Sequence, residues 1–272
     1  MTTPLRVSAA RAPTLTRMRR DQAAVLAALA VITSAAWIYT VGQADQMAMN
    51  GMGGNGMANT MHAMLTMQPW TVSEFSLRLA MWVVMMVAMM VPTAAPMTLV
   101  YAAVARKAAA QHSPLPPTFV FVAGYVTVWS LFGVLATVAQ RGLDALTLLS
   151  PTMASNSAVF GGVVLVAAGI YQLTPLKHAC LKHCRAPAHF LSCYWRTGTL
   201  GAFRVGLRLG AYCLGCCWIL MALLFVGGVM NLLWIAAISG FVLLEKTLPF
   251  GERGSRIAGA TAIGAGILSI AI

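Results

Sequence analysis

Leu79-Ala80-Met81-Trp82-Val83-Val84-Met85-Met86-Val87-Ala88-Met89-Met90-Val91-Pro92-Thr93-Ala94-Ala95-Pro96-Met97 lies in a stretch with no charged residue between Arg78 and Arg106. A bilayer's hydrocarbon core takes about 20 apolar helical residues to cross, so residues 79–105 predict a membrane-spanning helix. Six further apolar stretches, over 22–42, 118–140, 157–175, 208–228, 229–244 and 257–272, extend the same reading along the chain. The expected fold is all-α: a polytopic transmembrane bundle of about seven helices. The fifth and sixth stretches are separated only by Gly227, Gly228 and Asn231, which predicts a tight hairpin.

Composition agrees with a membrane setting. Only 9% of the 272 residues are charged and 59% are hydrophobic, against roughly 25% charged in ordinary globular chains. A disordered tail, a collagen-like rod and a disulfide-stapled miniprotein are thereby excluded. The net charge of +12 does not point to nucleic acid, because Lys and Arg punctuate apolar stretches instead of covering one soluble face.

They act as topology determinants, since short loops rich in Lys and Arg stay cytoplasmic. With the N-terminus cytoplasmic, only Arg78 and Arg141 of the 18 basic residues fall outside. The chain then divides into a basic cytoplasmic tail over 1–21, a first transmembrane helix over 22–42, a Met-rich extracytoplasmic loop over 43–78 and a six-helix membrane domain over 79–272. A Cys- and His-containing cytoplasmic loop covers 176–207. A cleaved signal peptide is an alternative reading of the first segment, although its apolar run of about 20 residues exceeds the 7–15 usual for a signal core.

Thirteen of the 18 Met lie between residues 47 and 97. Met47, Met49, Met52, Met57, Met61, Met64 and Met67 occupy the outer loop with His62 and several Gly. Thioethers are soft, uncharged ligands that suit Cu(I) or Ag(I), whereas harder cations want His, Cys or carboxylates. The competing reading is a low-complexity linker without ligand chemistry. On the second helix Met81, Met85 and Met89 share one face, and Met86, Met90 and Met97 an adjacent one. A thioether ladder for a soft cation and an adaptable filling of helix interfaces are both consistent with that spacing. Pro92 and Pro96 interrupt the hydrogen-bond ladder, which is tolerated only against protein or a cavity.

All six Cys map to the cytoplasmic loop or the inner half of helix five. In a reducing compartment this points to metal ligation or redox chemistry before structural disulfides. Cys180 and Cys184 are one helical turn apart with His183 beside them, and Cys213, Cys216 and Cys217 span only about 100° of a helix, so their sulfurs can converge. Zinc as the alternative ion would be satisfied by four S/N ligands and Cu(I) by two or three thiolates; the methionines favour copper. Free Cys can also be a small buried hydrophobe. Glu245 and Lys246 end the sixth segment, where the carboxylate either pairs locally with Lys246 or counters a cation in transit.

The combination Met81-Trp82-x-x-Met85-Met86-x-Ala88-Met89-Met90-x-Pro92, Gly124-Tyr125-x-x-x-Trp129, Tyr171-Gln172-x-x-Pro175-Leu176-Lys177-x-x-Cys180-Leu181-x-x-Cys184-Arg185-x-Pro187, Cys213-x-Gly215-Cys216-Cys217-Trp218-x-Leu220-Met221, and Gly228-Val229-Met230-Asn231 through Glu245-Lys246 resembles one family over about residues 74–260. It is the family of predicted metal-binding integral membrane proteins, a domain of unknown function sometimes labelled copper chaperone. The resemblance implies a multi-pass protein of the bacterial inner membrane that binds metal. The outer Met loop lies outside its motifs.

The expected function is binding, and transfer or transport, of a soft metal ion, with Met and Cys as ligands, Glu245 beside them, and a metal-handling or membrane-complex protein as partner. No phosphate loop or catalytic triad is present, so an enzyme is not expected. Two other classes fit part of the sequence: a membrane thiol oxidoreductase using Cys213 and Cys216, and a non-catalytic scaffold subunit in which Met and Cys only pack.

Overall fold

The computed structural model describes residues 15–52, 70–110, 117–150, 153–248 and 251–272. Among the described residues every regular element is helical, and one isolated bridge joins Leu149 to Ser155. The helices are α1 (Leu15–Met52), α2 (Val72–Ala110), α3 (Thr118–Ala145), α4 (Ala158–Leu173), α5 (Pro175–Arg185), α6 (Pro187–Tyr194), α7 (Thr199–Ala222), α8 (Leu224–Gly227), α9 (Leu232–Thr247) and α10 (Gly251–Ala271).

Among the described residues five spans are long and apolar enough to cross a membrane: Gln22–Met47, Val72–Ala108, Thr118–Ala145, Thr199–Gly227 and Arg253–Ala271. A sixth is available if α4 and α5, bent by 64° at their junction, count as one. Among the described residues the expected count of seven is not reached. The stretch over 229–244 forms α9, whose 16 residues rise only about 24 Å, short of the roughly 30 Å hydrocarbon core.

The bend between α4 and α5 has a local cause. Thr174 precedes Pro175 and takes an extended conformation (φ −72°, ψ 146°), because the proline ring disfavours helical geometry in the residue before it. Its hydroxyl then accepts from the Lys177 amide as an N-cap, and Pro175 starts the new helix where its missing N–H costs nothing. Pro187 repeats that opening in α6. The span over 176–207 is therefore mostly helical. α7 begins at Thr199, earlier than the expected 208, because Arg204 and Arg208 continue the helix beyond its charge-free part. At the expected hairpin Gly228 holds a φ of 96°, open to glycine at little cost, and the Asn231 side chain accepts from the Trp234 amide to start α9.

α2 is central, packed against α1, α3, α9 and α6. Its core-facing set includes Trp82, Met85, Met86, Met89 and Met90, all fully buried. The helix stays continuous through Pro92 and Pro96. Side-chain donors reach the carbonyls nearby: Thr93 Oγ1 of the same helix and Tyr125 Oη of α3 donate to Met90, and Ser239 Oγ of α9 to Met89. The Thr71 hydroxyl and Glu74 carboxylate cap the first turn reciprocally, so Glu74 has a structural role.

Small residues set the helix spacings, as in bundles whose interfaces cannot rely on a hydrophobic drive in lipid. α4 and α10 form the most extensive pairing. Gly162 faces Gly266 and Gly169 faces Gly259, and a Cβ added at Gly169 would stand 2.5 Å from the Gly259 carbonyl oxygen.

Candidate functional site

Five helices deliver the side chains that meet beside the lower half of α2. α7 carries Cys213, Cys216 and Cys217 along one buried face, as the helical spacing predicts. Cys216 and Cys217 each donate S–H to the Cys213 carbonyl, at 3.0 and 2.9 Å, which orients both sulfurs back along the helix. α5 carries Cys184, half-buried at the contact with α7 and within electrostatic reach of Cys216. Cys180 reaches the same place through a gap at Gly215, where a Cβ would come within 2.8 Å of its sulfur. Thiols from two helices, separated in sequence by about one helix and its connection, thus adjoin across the contact of α5 with α7.

A cation is built in beside the thiols of α7. Lys246 of α9 places its ammonium 2.8 Å from Cys213 Sγ and 3.0 Å from Thr93 Oγ1. Tyr125 of α3 holds its hydroxyl 3.0 Å from the same sulfur and 3.4 Å from Thr93. Cys213, Lys246, Thr93 and Tyr125 are all buried, and an ionised lysine at such depth persists only with partners that repay its desolvation.

Glu245 does not pair with its neighbour Lys246. Its carboxylate accepts from Lys177 Nζ at 2.6 Å, and Lys177, itself fully buried, also donates to Ser255 Oγ at 3.1 Å. Ser255 in turn donates to Gln172, so α4, α5, α9 and α10 join through one polar chain. Consecutive residues on a helix diverge by about 100°, which sends Glu245 toward this chain and Lys246 toward the thiols. Local pairing is the reading overturned here.

The remaining expected ligands are distributed differently. Met81, Met85, Met86, Met89, Met90 and Met97 are all buried along α2, so both of the faces read from the sequence point into protein. His183 turns to a surface group instead of the thiols: Nδ1 faces the Ala179 carbonyl at 3.0 Å and the ring stacks on Tyr212 with centroids 4.2 Å apart. In α1, Met47 packs partly against the core, Met49 is exposed and Met52 is the final residue. His62 with Met57, Met61, Met64 and Met67 lies outside the described residues.

Sequence reasoning missed Lys246 and Tyr125 as neighbours of the thiols, and Thr93 altogether. The signal available for Lys246 was its position as an ionisable group in an apolar segment. Among the described residues no three His, Cys, Asp or Glu side chains stand in an arrangement ready to hold a metal ion. What the pocket offers is donor chemistry: sulfur ligands and a Met-lined helix suit a soft monovalent ion, while the one nearby carboxylate is committed to Lys177.

No curated protein and no solved structure matches the chain. A family model described as a copper chaperone, PpoB2, matches residues 79–269, from the first turns of α2 into the last turn of α10, and the chain belongs to that family.

Proposed function

We propose that the chain is a carrier of Cu(I) embedded in the bacterial inner membrane, with the N-terminus cytoplasmic, and that it takes the ion as cargo and hands it on without chemical conversion. The observation that carries this reading is the buried face of Cys213, Cys216 and Cys217 on α7, with the Lys246 ammonium on Cys213 and the α5 cysteines alongside. Two or three thiolates satisfy Cu(I). Zinc asks for a closed tetrahedral set that cysteines alone can supply, so the preference for Cu(I) rests on the buried methionines of α2 and on the family's description as a copper chaperone.

In this reading the Met-rich segment over 43–78 captures the ion outside. Met81, Met85, Met89 and Met90 form the buried route along α2, and Cys180, Cys184, Cys213, Cys216 and Cys217 receive the ion. Because no ready-made metal geometry is present among the described residues, loading requires the thiols to rearrange around the ion. The receiving partner is a second metal-handling protein.

Metal analysis of the purified chain tests the proposal. Wild type is expected to hold stoichiometric Cu(I), and Cys216→Ser to weaken retention by at least about tenfold, the effect of losing about 1.4 kcal/mol of binding. Met85→Leu and Met89→Leu should slow copper passage in cells while leaving retention intact. A wild-type protein without stoichiometric copper, in which thiol trapping finds a redox-active Cys213/Cys216 pair, would replace this reading with the oxidoreductase one.

A further inference from the structure

The sixth cysteine lies apart from the pocket and has its own partner. α6 is two-faced: Phe190 and Leu191 are buried, whereas His189, Ser192 and Cys193 are exposed on the opposite side. Positions 189 and 193 are one helical turn apart, so their side chains meet. Cys193 Sγ lies 3.9 Å from Nδ1 and 3.7 Å from Nε2 of the His189 ring.

That spacing has a coordination meaning. With metal–nitrogen and metal–sulfur bonds of about 2.0 and 2.3 Å, an ion shared by one imidazole and one thiolate separates N from S by roughly 3.5 Å at a tetrahedral angle and 4.3 Å when linear. The observed separations fall within this interval, and a turn of the exposed imidazole about its own bond, with no movement of the backbone, aims one nitrogen at an ion shared with the sulfur. The helix itself is firmly seated. Its buried face is Phe190 and Leu191, and the Tyr194 hydroxyl meets that of Tyr212 on α7 at 2.8 Å.

We infer that His189 and Cys193 form a second site for a soft monovalent ion, exposed and two-coordinate, distinct from the buried sulfur pocket. Its open coordination sphere suits an ion in transit, since a partner can supply a third ligand before either protein releases its own. Its position also suits exchange: α6 follows α5 through Ala186 alone, and α5 carries Cys180 and Cys184. The identity of the ion as Cu(I) rests on the function proposed above.

The test reads Cys193 directly. Full-length protein in detergent is exposed to iodoacetamide with and without buffered Cu(I), and alkylation at Cys193 is followed by mass spectrometry. A metal-bound thiolate cannot act as a nucleophile, so Cu(I) is expected to slow alkylation at least about tenfold in wild type. In His189→Ala the protection should fall to less than about twofold, and in Cys216→Ser it should persist. Absent protection in wild type, undiminished protection in His189→Ala, or its loss in Cys216→Ser each overturns the inference. Copper retained after a chelator wash reports the buried pocket separately. Protection at Cys193 without retained copper would sink the carrier proposal and leave the surface site standing; retained copper without protection would do the reverse.

Discussion

Lys177 and Glu245 show most plainly what a single residue decides in this chain. Both are buried, and the carboxylate's charge is matched by an ammonium 68 positions away. Lys177→Met removes that match and leaves a carboxylate inside the bundle, for which the expected cost is about 3–5 kcal/mol. Thermal unfolding in detergent should show the loss. Combining it with Glu245→Gln should restore a substantial part, and a double variant no more stable than Lys177→Met would contradict the pairing. Gly215 is decisive in another way, by what it lacks. Gly215→Ala places a methyl group against the Cys180 sulfur, with an expected loss of about 1–3 kcal/mol from overpacking. Adding Cys180→Ala opens the space again, so the pair should be more stable than Gly215→Ala alone.

The helices themselves were largely legible from hydropathy, and the exceptions have physical reasons. The thiols of α7 fall on one face because 3.6-residue periodicity is a local property that spacing reveals. The bend at Thr174-Pro175 is local too, yet an apolar-stretch reading passes over it, because hydropathy carries no record of backbone direction. α7 begins nine residues before the expected boundary since Arg208 is held over the Tyr194 ring, 4.8 Å from its centroid, and needs no loop to reach a polar setting. Glycines separate packing from propensity within one element. In α10, Gly259 and Gly266 touch α4, whereas a Cβ at Gly254 or Gly264 meets nothing. Gly259→Ala is therefore expected to destabilise by about 1–3 kcal/mol, and Gly264→Ala to stabilise by roughly 0.5–1 kcal/mol through helix propensity. Equal effects at the two sites, measured by unfolding, would refute the close approach of α4 and α10.

Across the whole molecule, what the sequence could not disclose is which distant groups meet: Lys246 with Cys213, Cys180 with Gly215, Glu245 with Lys177. Each contact joins helices whose mutual rotation depends on all their neighbours. The two arginines expected on the outer side do share one end of the bundle, with Arg78 and Arg141 both over the Trp70 ring at 4.5 and 5.8 Å. In oriented vesicles a cysteine introduced by Ser73→Cys should accordingly be labelled from the outer face and Cys193 from the cytoplasmic one; the two exchanged would reverse the proposed orientation, and labelling of both from one face would refute their placement on opposite sides. The ammonium of Lys246 carries a last implication for the bundle as a container. Two thiolates holding a monovalent ion sum to one negative charge, which the lysine cancels, so the filled pocket is electroneutral inside a medium where an unbalanced charge costs several kcal/mol. A divalent ion between the same two sulfurs leaves one positive charge uncancelled. Under the proposed function, selection in such a pocket would work by valence, with ionic radius secondary.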